Sequence, residues 1–429
     1  MLLKILTLII ALLVLPDLYI YLMYMRRWTK NWWLRALCFL PSLAIASSAA
    51  FIMSSNDMKP EHQPWVSTFM FAFLAVCAPK AIFMIFDGIG HGINWIVTRG
   101  AKKRDDSECI FVRLLRILGM ALAIFSLGLL AFGYFIGRHH YVVHRQTFYF
   151  HDLPSRFDGY RIVQFSDMHV GTFRDGNEED VQTIVNLINE QHCDAIFFTG
   201  DLVNHQSSEL DGFRRNLSKL QAPDGVYAVM GNHDYSMYLR YPDEKDRHAD
   251  VKELQRRIRS YGWTLLLNEH RILRRGSDSL VIAGVENDGR PPFPSLGNLP
   301  KTMKGLKRSC FTILLSHDPT AWQRKIVPQT NIQLTLSGHT HAGQFKMFGW
   351  SPVSHVYDEW SGAYTQGNQI LNISDGIGAV MFPFRFGAWP EINVITLRKA
   401  NSKQKPTRQR NSSTSYIKYT LSASHSPSL

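Results

Sequence analysis

Long apolar segments are concentrated in the first third of the chain, where short basic loops separate them. Four of them are long enough to cross a bilayer, which needs about 20 apolar residues. They are residues 2–24, 33–54, 66–86 and 112–136. The first lacks a small-residue cleavage site, so we interpret it as a retained helix rather than a signal peptide. The pattern predicts a four-helix transmembrane region over residues 1–137.

The Lys and Arg residues of the short loops predict the orientation of this region. The loops after the first and third segments are strongly basic, whereas the second loop and the N-terminus hold only Lys59 and Lys4. Basic loops stay on the cytoplasmic side of a membrane. We therefore expect a multi-pass integral membrane protein with both termini, and everything after residue 137, on the non-cytoplasmic side.

The pattern changes after residue 142, where short apolar runs follow one another. The runs at 160–167, 194–201 and 225–234 are predicted strands, with an amphipathic helix at 177–191 between the first two. Later runs are mostly strand-like. This order predicts an α/β domain with strands buried on both faces. We place it at 160–399, after a linker and first strand at 138–159, and we predict a disordered basic tail at 400–429.

The formal charge of +12 is compatible with nucleic acid or an anionic membrane surface as the partner. However, the basic residues lie mainly between apolar segments and in the tail, and the sequence shows no nucleic-acid-binding signature. We therefore expect membrane lipids, and not nucleic acid, as partners. The five cysteines show no CxxC spacing, and two reduced thiols at Cys193 and Cys310 are favoured over a bridge between them.

Five of the predicted apolar strands end in residues that bind metal ions. Those residues are Asp167 with His169, Asp201, Asn232 with His233 and Asp234, His317, and His339 with His341. The carboxyl edge of an open α/β sheet is where ligands bind. One such ending is usually a cap or a turn, but five together indicate a shared site. Because residues i and i+2 of a strand point to the same side, His339 and His341 are expected to face one point.

The chemistry of these side chains narrows the choice of metal. Oxygen and imidazole ligands without cysteine suit Mn²⁺, Fe, Zn²⁺ or Mg²⁺ rather than a structural zinc. Seven ligands are too many for one ion. They suit two divalent ions about 3.5–4 Å apart that share a carboxylate. The seven are Asp167, His169, Asp201, Asn232, His317, His339 and His341.

The ordered set D-x-H, G-D, G-N-H-D, H and G-H-x-H, within residues 160–345, resembles the calcineurin-like metallophosphoesterase superfamily. The resemblance implies a two-sheet sandwich flanked by helices. It implies that one metal ion is held by Asp167, His169 and His341. It implies that the other is held by Asn232, His317 and His339. Asp201 would bridge the two ions.

The same resemblance implies roles for two further residues. His233 would stabilise or protonate the leaving oxygen, and Asp234 would orient His233. The implied reaction is hydrolysis of a phosphoester or pyrophosphate bond by a metal-bridging hydroxide. The protein would therefore be a metal-dependent phosphoric ester hydrolase.

The flanking sequences, such as GHTHAGQ and SDGIGAVMFPFRFGAW, resemble a membrane-associated bacterial branch typified by the YkuE-type phosphoesterases. That likeness implies a bacterial inner membrane. An enzyme held at a bilayer gains from a substrate held there, so we expect a lipid-linked phosphorylated substrate. Within residues 381–389, Arg385 is the candidate for contacting its phosphate among exposed aromatics. Two alternatives stay open: a UDP-diacylglucosamine-type pyrophosphatase of lipid A synthesis, and a non-catalytic metal-binding membrane sensor.

Overall fold

The structure is a computed structural model that describes residues 2–55, 62–99, 110–174, 176–400, 408–410 and 415–416. The chain divides into two compact units, Met1–Phe135 and Ile136–Leu429. The first unit corresponds to the predicted transmembrane region. The second contains the predicted linker, α/β domain and tail.

Helices account for the described part of the first unit. Helix α1 (Leu2–Ile20) continues through a π-helical turn (Tyr21–Met25) into α2 (Arg26–Trp28), so the first predicted segment lies in one helical stretch. The other helices are α3 (Trp32–Leu37), α4 (Leu40–Ser55), α5 (Gln63–Thr98) and α6 (Ile110–Phe135). Among the described residues, Gln63–Thr98 and Ile110–His139 are long and apolar enough to cross a membrane, and Leu40–Ile52 is a shorter apolar helix.

Helix α5 continues past Asp87, where the third predicted segment stops. The Asp87 carboxylate is buried and accepts hydrogen bonds from the hydroxyls of Tyr19 and Tyr24 at 2.7 and 2.5 Å, and from Nε of Arg116 at 2.9 Å. Nζ of Lys80, on the same helix, lies 2.6 Å from the Asp17 carboxylate. Charged side chains inside a bilayer are tolerated when they pair with one another. This pairing explains how two charged residues fit within one apolar helix.

The strands of the second unit are short. In chain order they are β1 (Val142–Phe150), β2 (Arg161–Phe165), β3 (Ala195–Phe198), β4 (Val226–Ala228), β5 (Thr264–Leu265), β6 (Glu269–Arg275), β7 (Asp278–Gly284), β8 (Thr312–Leu315), β9 (Leu334–Ser337), β10 (Gly362–Gln366), β11 (Gln369–Ile373), β12 (Glu391–Lys399), β13 (Arg408–Arg410) and β14 (Ser415–Tyr416).

These strands form two sheets. The first has the order β13-β1-β12-β2-β3-β4-β5, with β14 also paired to β1, and the second has the order β10-β11-β9-β8-β7-β6. Strands β2 to β5 are parallel to one another, as are β7, β8, β9 and β11. The carboxyl ends of several neighbouring strands therefore share one edge in each sheet.

Apolar side chains hold the sheets and helices together in layers. One buried cluster lies between the two sheets and includes Phe197 of the first and Ile313 of the second. A second cluster packs the first sheet against helices, as Phe165 and Ile184 illustrate. A third cluster packs Leu314 of the second sheet against the helical segment that follows β8, which includes Trp322. The helices are α7 (Glu178–Asn189), α8 (Arg214–Leu217), α9 (Glu244–Ser260), α10 (Leu299–Thr302) and α11 (Val327–Gln329). The predicted two-sheet sandwich flanked by helices is confirmed.

Two smaller expectations concern the tail and the cysteines. In the tail predicted to be disordered, β13 and β14 pair antiparallel with β1. The rest of the tail after residue 400 lies outside the described residues. Cys193 and Cys310 are free thiols, as the sequence favoured.

Candidate metal centre

The candidate ligands lie in the loops that follow the parallel strands of both sheets. Strands β2, β3 and β4 of the first sheet, and β8 and β9 of the second, each lead into one of these loops. All seven ligand side chains are inaccessible or nearly so; the most exposed, His339, has a side-chain exposure of 5%. The sandwich therefore brings together residues that are up to 174 positions apart, from Asp167 to His341.

One group consists of Asp167, His169 and His341, whose ligand atoms all lie within 4.8 Å of one another. Nε2 of His169 faces Nε2 of His341 at 3.1 Å. The same nitrogen of His341 is 3.3 Å from Oδ1 of Asp167. Three ligand atoms converging on one point is the arrangement that holds a cation.

The second group consists of Asp201, His317 and His339, again with ligand atoms within 4.8 Å. Nε2 of His317 is 3.0 Å from Oδ2 of Asp201. The amide oxygen of Asn232 joins this group, at 3.2 Å from Nε2 of His317 and 2.7 Å from Nδ1 of His339. The group therefore offers two imidazoles, a carboxylate and an amide oxygen.

Asp201 connects the two groups. Its Oδ2 atom, besides its contact with His317, lies 3.8 Å from Nε2 of His169 in the first group. Its other oxygen, Oδ1, accepts a hydrogen bond of 2.8 Å from the main-chain N–H of His233. A carboxylate in this position is suited to contact two cations at once.

The protonation of three of the four ligand histidines fits metal binding, because imidazole binds a cation only when neutral. Burial, together with the charge of His233, lowers the pKa of His169 well below its usual value. Burial and the charge of Arg385 do the same for His341. Burial also lowers the pKa of His339 to about 4. His317 differs: burial opposes its charge, but the negative charge of Asp201 raises its pKa to about 10.

The packing of the ligands also fits cations. Nε2 of His169 and Nε2 of His341 approach to 3.1 Å, which is close enough for both nitrogens to bind the same cation. Nδ1 of His169 has no hydrogen-bond partner in the described part of the chain. The donor set contains oxygen and nitrogen and no sulfur, which suits Mn²⁺, Fe, Zn²⁺ or Mg²⁺. The residues therefore fit two divalent cations.

The backbone at the ligands is unusual, because five of them have positive φ angles. They are Asp167 (54°), His169 (45°), Asp201 (60°), His339 (76°) and His341 (51°). Only a few per cent of residues other than glycine adopt such angles, and they cluster at functional sites.

The prediction that His339 and His341 face one point is wrong. It assumed a strand, but β9 ends at Ser337 and both histidines are in the left-handed region. As a result His339 joins Asp201, while His341 joins Asp167.

Glycines allow the loops to approach one another closely. A Cβ atom on Gly231 would lie 2.2 Å from Oδ1 of Asp201, and one on Gly338 would lie 2.1 Å from Oδ2 of Asp167. Both distances are far below van der Waals contact. The glycines before Asn232 and His339 are therefore needed for space.

His233 sits at the edge of both groups. Its ring packs against His169 and Tyr238, with ring centroids 4.9 and 4.4 Å away. Its Nδ1 lies 2.7 Å from the main-chain oxygen of Asn204. This contact fixes the proton on Nδ1 and leaves Nε2 as the nitrogen for a substrate.

The expectation that Asp234 orients His233 is wrong. The Asp234 carboxylate is buried and accepts main-chain hydrogen bonds from Asp201, Leu202 and Gly231, at 2.9, 2.8 and 2.9 Å. A short 3₁₀ turn, His233–Tyr235, sends the two side chains in different directions. Asp234 therefore shapes the backbone around Asp201, and the Asn204 carbonyl orients His233.

The expectation that Arg385 meets a substrate phosphate at the surface is also wrong. Its side chain is fully buried. The guanidinium donates to the main-chain oxygens of Asp375 and Gly378, at 2.6 and 2.9 Å, and its Nη2 lies 3.0 Å from Nδ1 of His341. Burial lowers the pKa of Arg385 to about 10, so it stays protonated at neutral pH. Its donors are already used, which leaves none for a substrate.

Three residues outside the predicted set contact the ligands. The hydroxyl of Tyr238 accepts a 2.7 Å hydrogen bond from the Asn232 amide, and that of Tyr357 lies 2.9 Å from Nε2 of His339. The Asp318 carboxylate is 3.6 Å from the same nitrogen. Partners of this kind fix the tautomer of a ligating histidine. Asp318 directly follows His317 in the sequence, but the tyrosines lie in loops without any motif.

Comparisons with known proteins agree with this geometry. The model of the family "Calcineurin-like phosphoesterase" matches residues 160–343. A second model, "Probable Calcineurin-like phosphoesterase, transmembrane domain", matches residues 3–138 and belongs to a four-transmembrane family. The match supports the predicted four-helix transmembrane region, although only two described helices are long enough to span a membrane.

Three relatives illustrate the similarity. The uncharacterized metallophosphoesterase YkuE of Bacillus subtilis is 32% identical over 58% of this chain and 82% of its own length. A transmembrane protein with metallophosphoesterase domain from Danio rerio is 30% identical over 58% of this chain and 55% of its own length. An uncharacterized metallophosphoesterase of Helicobacter pylori strain J99 is 27% identical over 84% of this chain and 88% of its own length.

Calcineurin-like phosphoesterases use a dinuclear divalent metal centre, and the two ligand groups match that requirement. The chain belongs to the calcineurin-like phosphoesterases and is a metal-dependent phosphoesterase with an N-terminal transmembrane domain of the same family.

Proposed function

We propose that this protein hydrolyses a phosphoester or pyrophosphate bond in a lipid-linked substrate. The observation that carries the proposal is the pair of buried ligand groups connected by Asp201, in a chain that also has a transmembrane domain. The ligand roles of Asp167, His169 and His341 in one group, and of the other four residues in the second, are part of the proposal.

Two divalent cations, when bound, supply the Lewis acidity that activates a water and neutralises the oxygens of the phosphoryl group. The residues of the chain do the rest. Asp201 fixes the two ligand groups relative to each other. Asn232 contributes a neutral oxygen, which limits the negative charge of the ligand set. Hydrolysis adds water across a P–O bond, and His233 donates the proton that the leaving oxygen requires.

His233 is placed for this role. The carbonyl of Asn204 accepts its Nδ1–H at 2.7 Å, so Nε2 is the nitrogen left for the leaving oxygen. The main-chain N–H of the same residue donates to Asp201, which ties the acid to the ligand groups. A non-catalytic sensor has no need of such an acid, so this arrangement favours an enzyme over the sensor.

The membrane domain supports a lipid-linked substrate. A tethered site meets a substrate in the same bilayer at a much higher effective concentration than a soluble one. The ligand geometry fits lipid-linked phosphoesterases as a class, which includes a lipid A pyrophosphatase, and we propose this broader class.

We further propose a multi-pass protein of a bacterial inner membrane with the catalytic domain outside the cytoplasm. The basic loops after the first and third apolar segments support this orientation. Substrates would then be phosphorylated lipids that are exposed on the outer face of that membrane.

The experiment uses the full chain reconstituted in vesicles with Mn²⁺. It compares hydrolysis of a lipid-linked pyrophosphate with that of the soluble headgroup analogue, and Asp201→Asn is the control for contaminating phosphatase. We expect faster turnover of the membrane-held substrate and no activity in excess chelator. Equal turnover of the two substrates would show that the lipid part is irrelevant, while activity in chelator would refute the metal-dependent reaction itself.

A further inference from the structure

A hairpin next to the ligand loops presents an unusually exposed aromatic side chain. The main chains of Met347 and Trp350 exchange two hydrogen bonds, of 2.9 and 3.0 Å. They close a two-residue turn in which Phe348 and Gly349 both have positive φ angles, 52° and 79°. Turns of this type normally have asparagine or aspartate before the glycine. Phe348 stands in that position with 99% of its surface exposed.

Two further apolar residues accompany it. Trp350 is 46% exposed and Val356 is 68% exposed. We call Phe348, Trp350 and Val356 the apolar tip. A bulky residue at positive φ is strained, and an aromatic side chain left in water forgoes the favourable transfer that burial would give. For Phe348, neither cost is offset by packing within the described part of the chain, so an apolar partner would lower the free energy of this turn.

The apolar tip is firmly connected to the candidate metal centre. The Ser351 hydroxyl donates to the main-chain oxygen of Ala342, next to His341, at 2.7 Å. On the other side of the tip, the Tyr357 hydroxyl is 2.9 Å from Nε2 of His339. A partner bound by the tip is therefore held at a fixed distance from the ligands.

The base of the hairpin pairs with the loop at 381–389. The N–H of Lys346 donates to the oxygen of Phe386 at 2.7 Å. The rings of Phe345 and Phe386 stack with centroids 5.7 Å apart. The Nζ atom of Lys346 is 2.7 Å from the Asp375 carboxylate, so this cation is already paired.

The loop at 381–389 in turn packs against the segment that follows helix α6. The ring of His140 contacts that of Trp389, with centroids 5.0 Å apart. Gly137 approaches Arg385 so closely that a Cβ atom on it would overlap the Arg385 carbonyl. Helix α6 ends at Phe135, two residues before Gly137. Residues 136–140, which follow helix α6 in the chain, thus pack against the loop that supports the hairpin.

We propose that the apolar tip inserts into the interfacial region of the lipid bilayer that holds this protein. Tryptophan and other aromatics are favoured at that depth. The apolar part of the bilayer is the partner, and not its anionic headgroups, because the tip carries no charge and Lys346 at the base of the hairpin is paired with Asp375. The proposal needs only a membrane and does not depend on which phosphoester is hydrolysed.

The test places a photoreactive benzophenone analogue of phenylalanine at position 348 of the full chain in phosphatidylcholine vesicles. A second sample carries it at Ile272, which is 43% exposed on β6, outside the tip. We expect lipid adducts after irradiation at 348 that are at least tenfold more abundant than at 272. A third sample with about one third anionic lipid should give the same yield, since an uncharged surface is indifferent to headgroup charge.

Three results would overturn the proposal. They are an absence of lipid adducts at 348, equal yields at 348 and 272, and adducts to protein alone. The last would assign the tip to contacts between copies or within the chain. As a check on folding, Phe348→Gly matches the backbone of the turn and is expected to raise the midpoint of thermal unfolding while removing the aromatic ring.

Discussion

Nη2 of Arg385 lies 3.0 Å from Nδ1 of His341, so a buried cation stands directly behind a candidate metal ligand. The same guanidinium donates to the carbonyls of Asp375, Gly378 and Ala388. It therefore connects the loop after β9, through the carbonyl of His341, to the long loop between β11 and β12. The planar guanidinium of arginine, with its donors in fixed directions, can bond several carbonyls at once better than the flexible ammonium group of lysine.

Arg385→Ala is expected to destabilise the fold by about 3 kcal/mol or more, because it leaves several buried acceptors unpaired. Arg385→Lys should recover only part of this loss. Thermal unfolding and metal content per chain are the measurements, and Arg398→Ala is the matched control, since Arg398 is half exposed in an ion pair of 3.5 Å. An Arg385→Ala protein as stable and as metal-loaded as the unsubstituted chain would contradict the positioning role.

Asp201→Asn is expected to lower turnover by at least about 10²–10³-fold, the scale seen when a major electrostatic group is removed from an active site. The loss should exceed that of Asp167→Asn, because Asp201 approaches both ligand groups and Asp167 only one. Metal analysis should show that Asp201→Asn weakens both ions. If Asp167→Asn proves the more damaging change, Asp201 does not bridge. Asp158→Asn, an exposed carboxylate, serves as the control.

His233→Ala should leave metal content unchanged and reduce turnover by about 10²–10⁴-fold for a substrate with a poor leaving group. The reduction should be much smaller for a nitrophenyl ester, whose leaving oxygen needs no proton. Steady-state kinetics on the two substrates make the comparison. A loss of the same size for both would indicate that His233 positions the substrate instead of protonating it.

The stability of the metal-free protein is expected to fall in mild acid. Burial and the charge of His233 lower the pKa of His205 to about 4, whereas an unfolded histidine has a pKa of about 6.5. Between these values the unfolded chain binds a proton that the folded chain does not, so stability rises with pH and is lost as pH falls from about 6.5 toward 4. Urea unfolding at several pH values measures this slope. His205→Gln should reduce this slope by the contribution of one histidine, whereas the exposed His151→Gln should leave it unchanged.

Reporter fusions test the orientation. A phosphatase that works only after export, fused after Phe150, should be active, and a fluorescent protein that folds only in the cytoplasm should be dark at the same position. This result follows from the basic loops after the first and third apolar segments. The reverse pattern would place the catalytic domain in the cytoplasm and would favour a substrate with a nucleotide headgroup.

Much of the fold was predictable because buried strands leave a clear signal. The runs that became β2, β3, β8 and β9 are mostly apolar, and each is followed within three residues by an Asp or His. Strand β6 left no such signal. Its sequence, EHRILRR, is charged and half exposed at the edge of the second sheet. An edge strand needs only one apolar face, so its pattern resembles that of a loop.

The identity of the ligand candidates was predictable, but their directions were not. The sequence places His339 and His341 two residues apart, and an assumed strand geometry points them together. The left-handed backbone at both residues sends them to different groups. Arg385 shows the same limit: its aromatic neighbours suggest an exposed lip, whereas the structure buries it against the carbonyl of His341, 44 residues away, as well as nearer ones.

The positive φ angles at five ligands lower the stability of the fold while they place the ligand atoms. Each costs on the order of 1 kcal/mol relative to a relaxed backbone, and a glycine would remove that cost together with the ligand atom. Substitutions that make this protein more heat-resistant would therefore accumulate first at the residues that do its chemistry. An engineer who seeks a durable and active form should leave these loops alone and look for gains in the apolar layer between the two sheets.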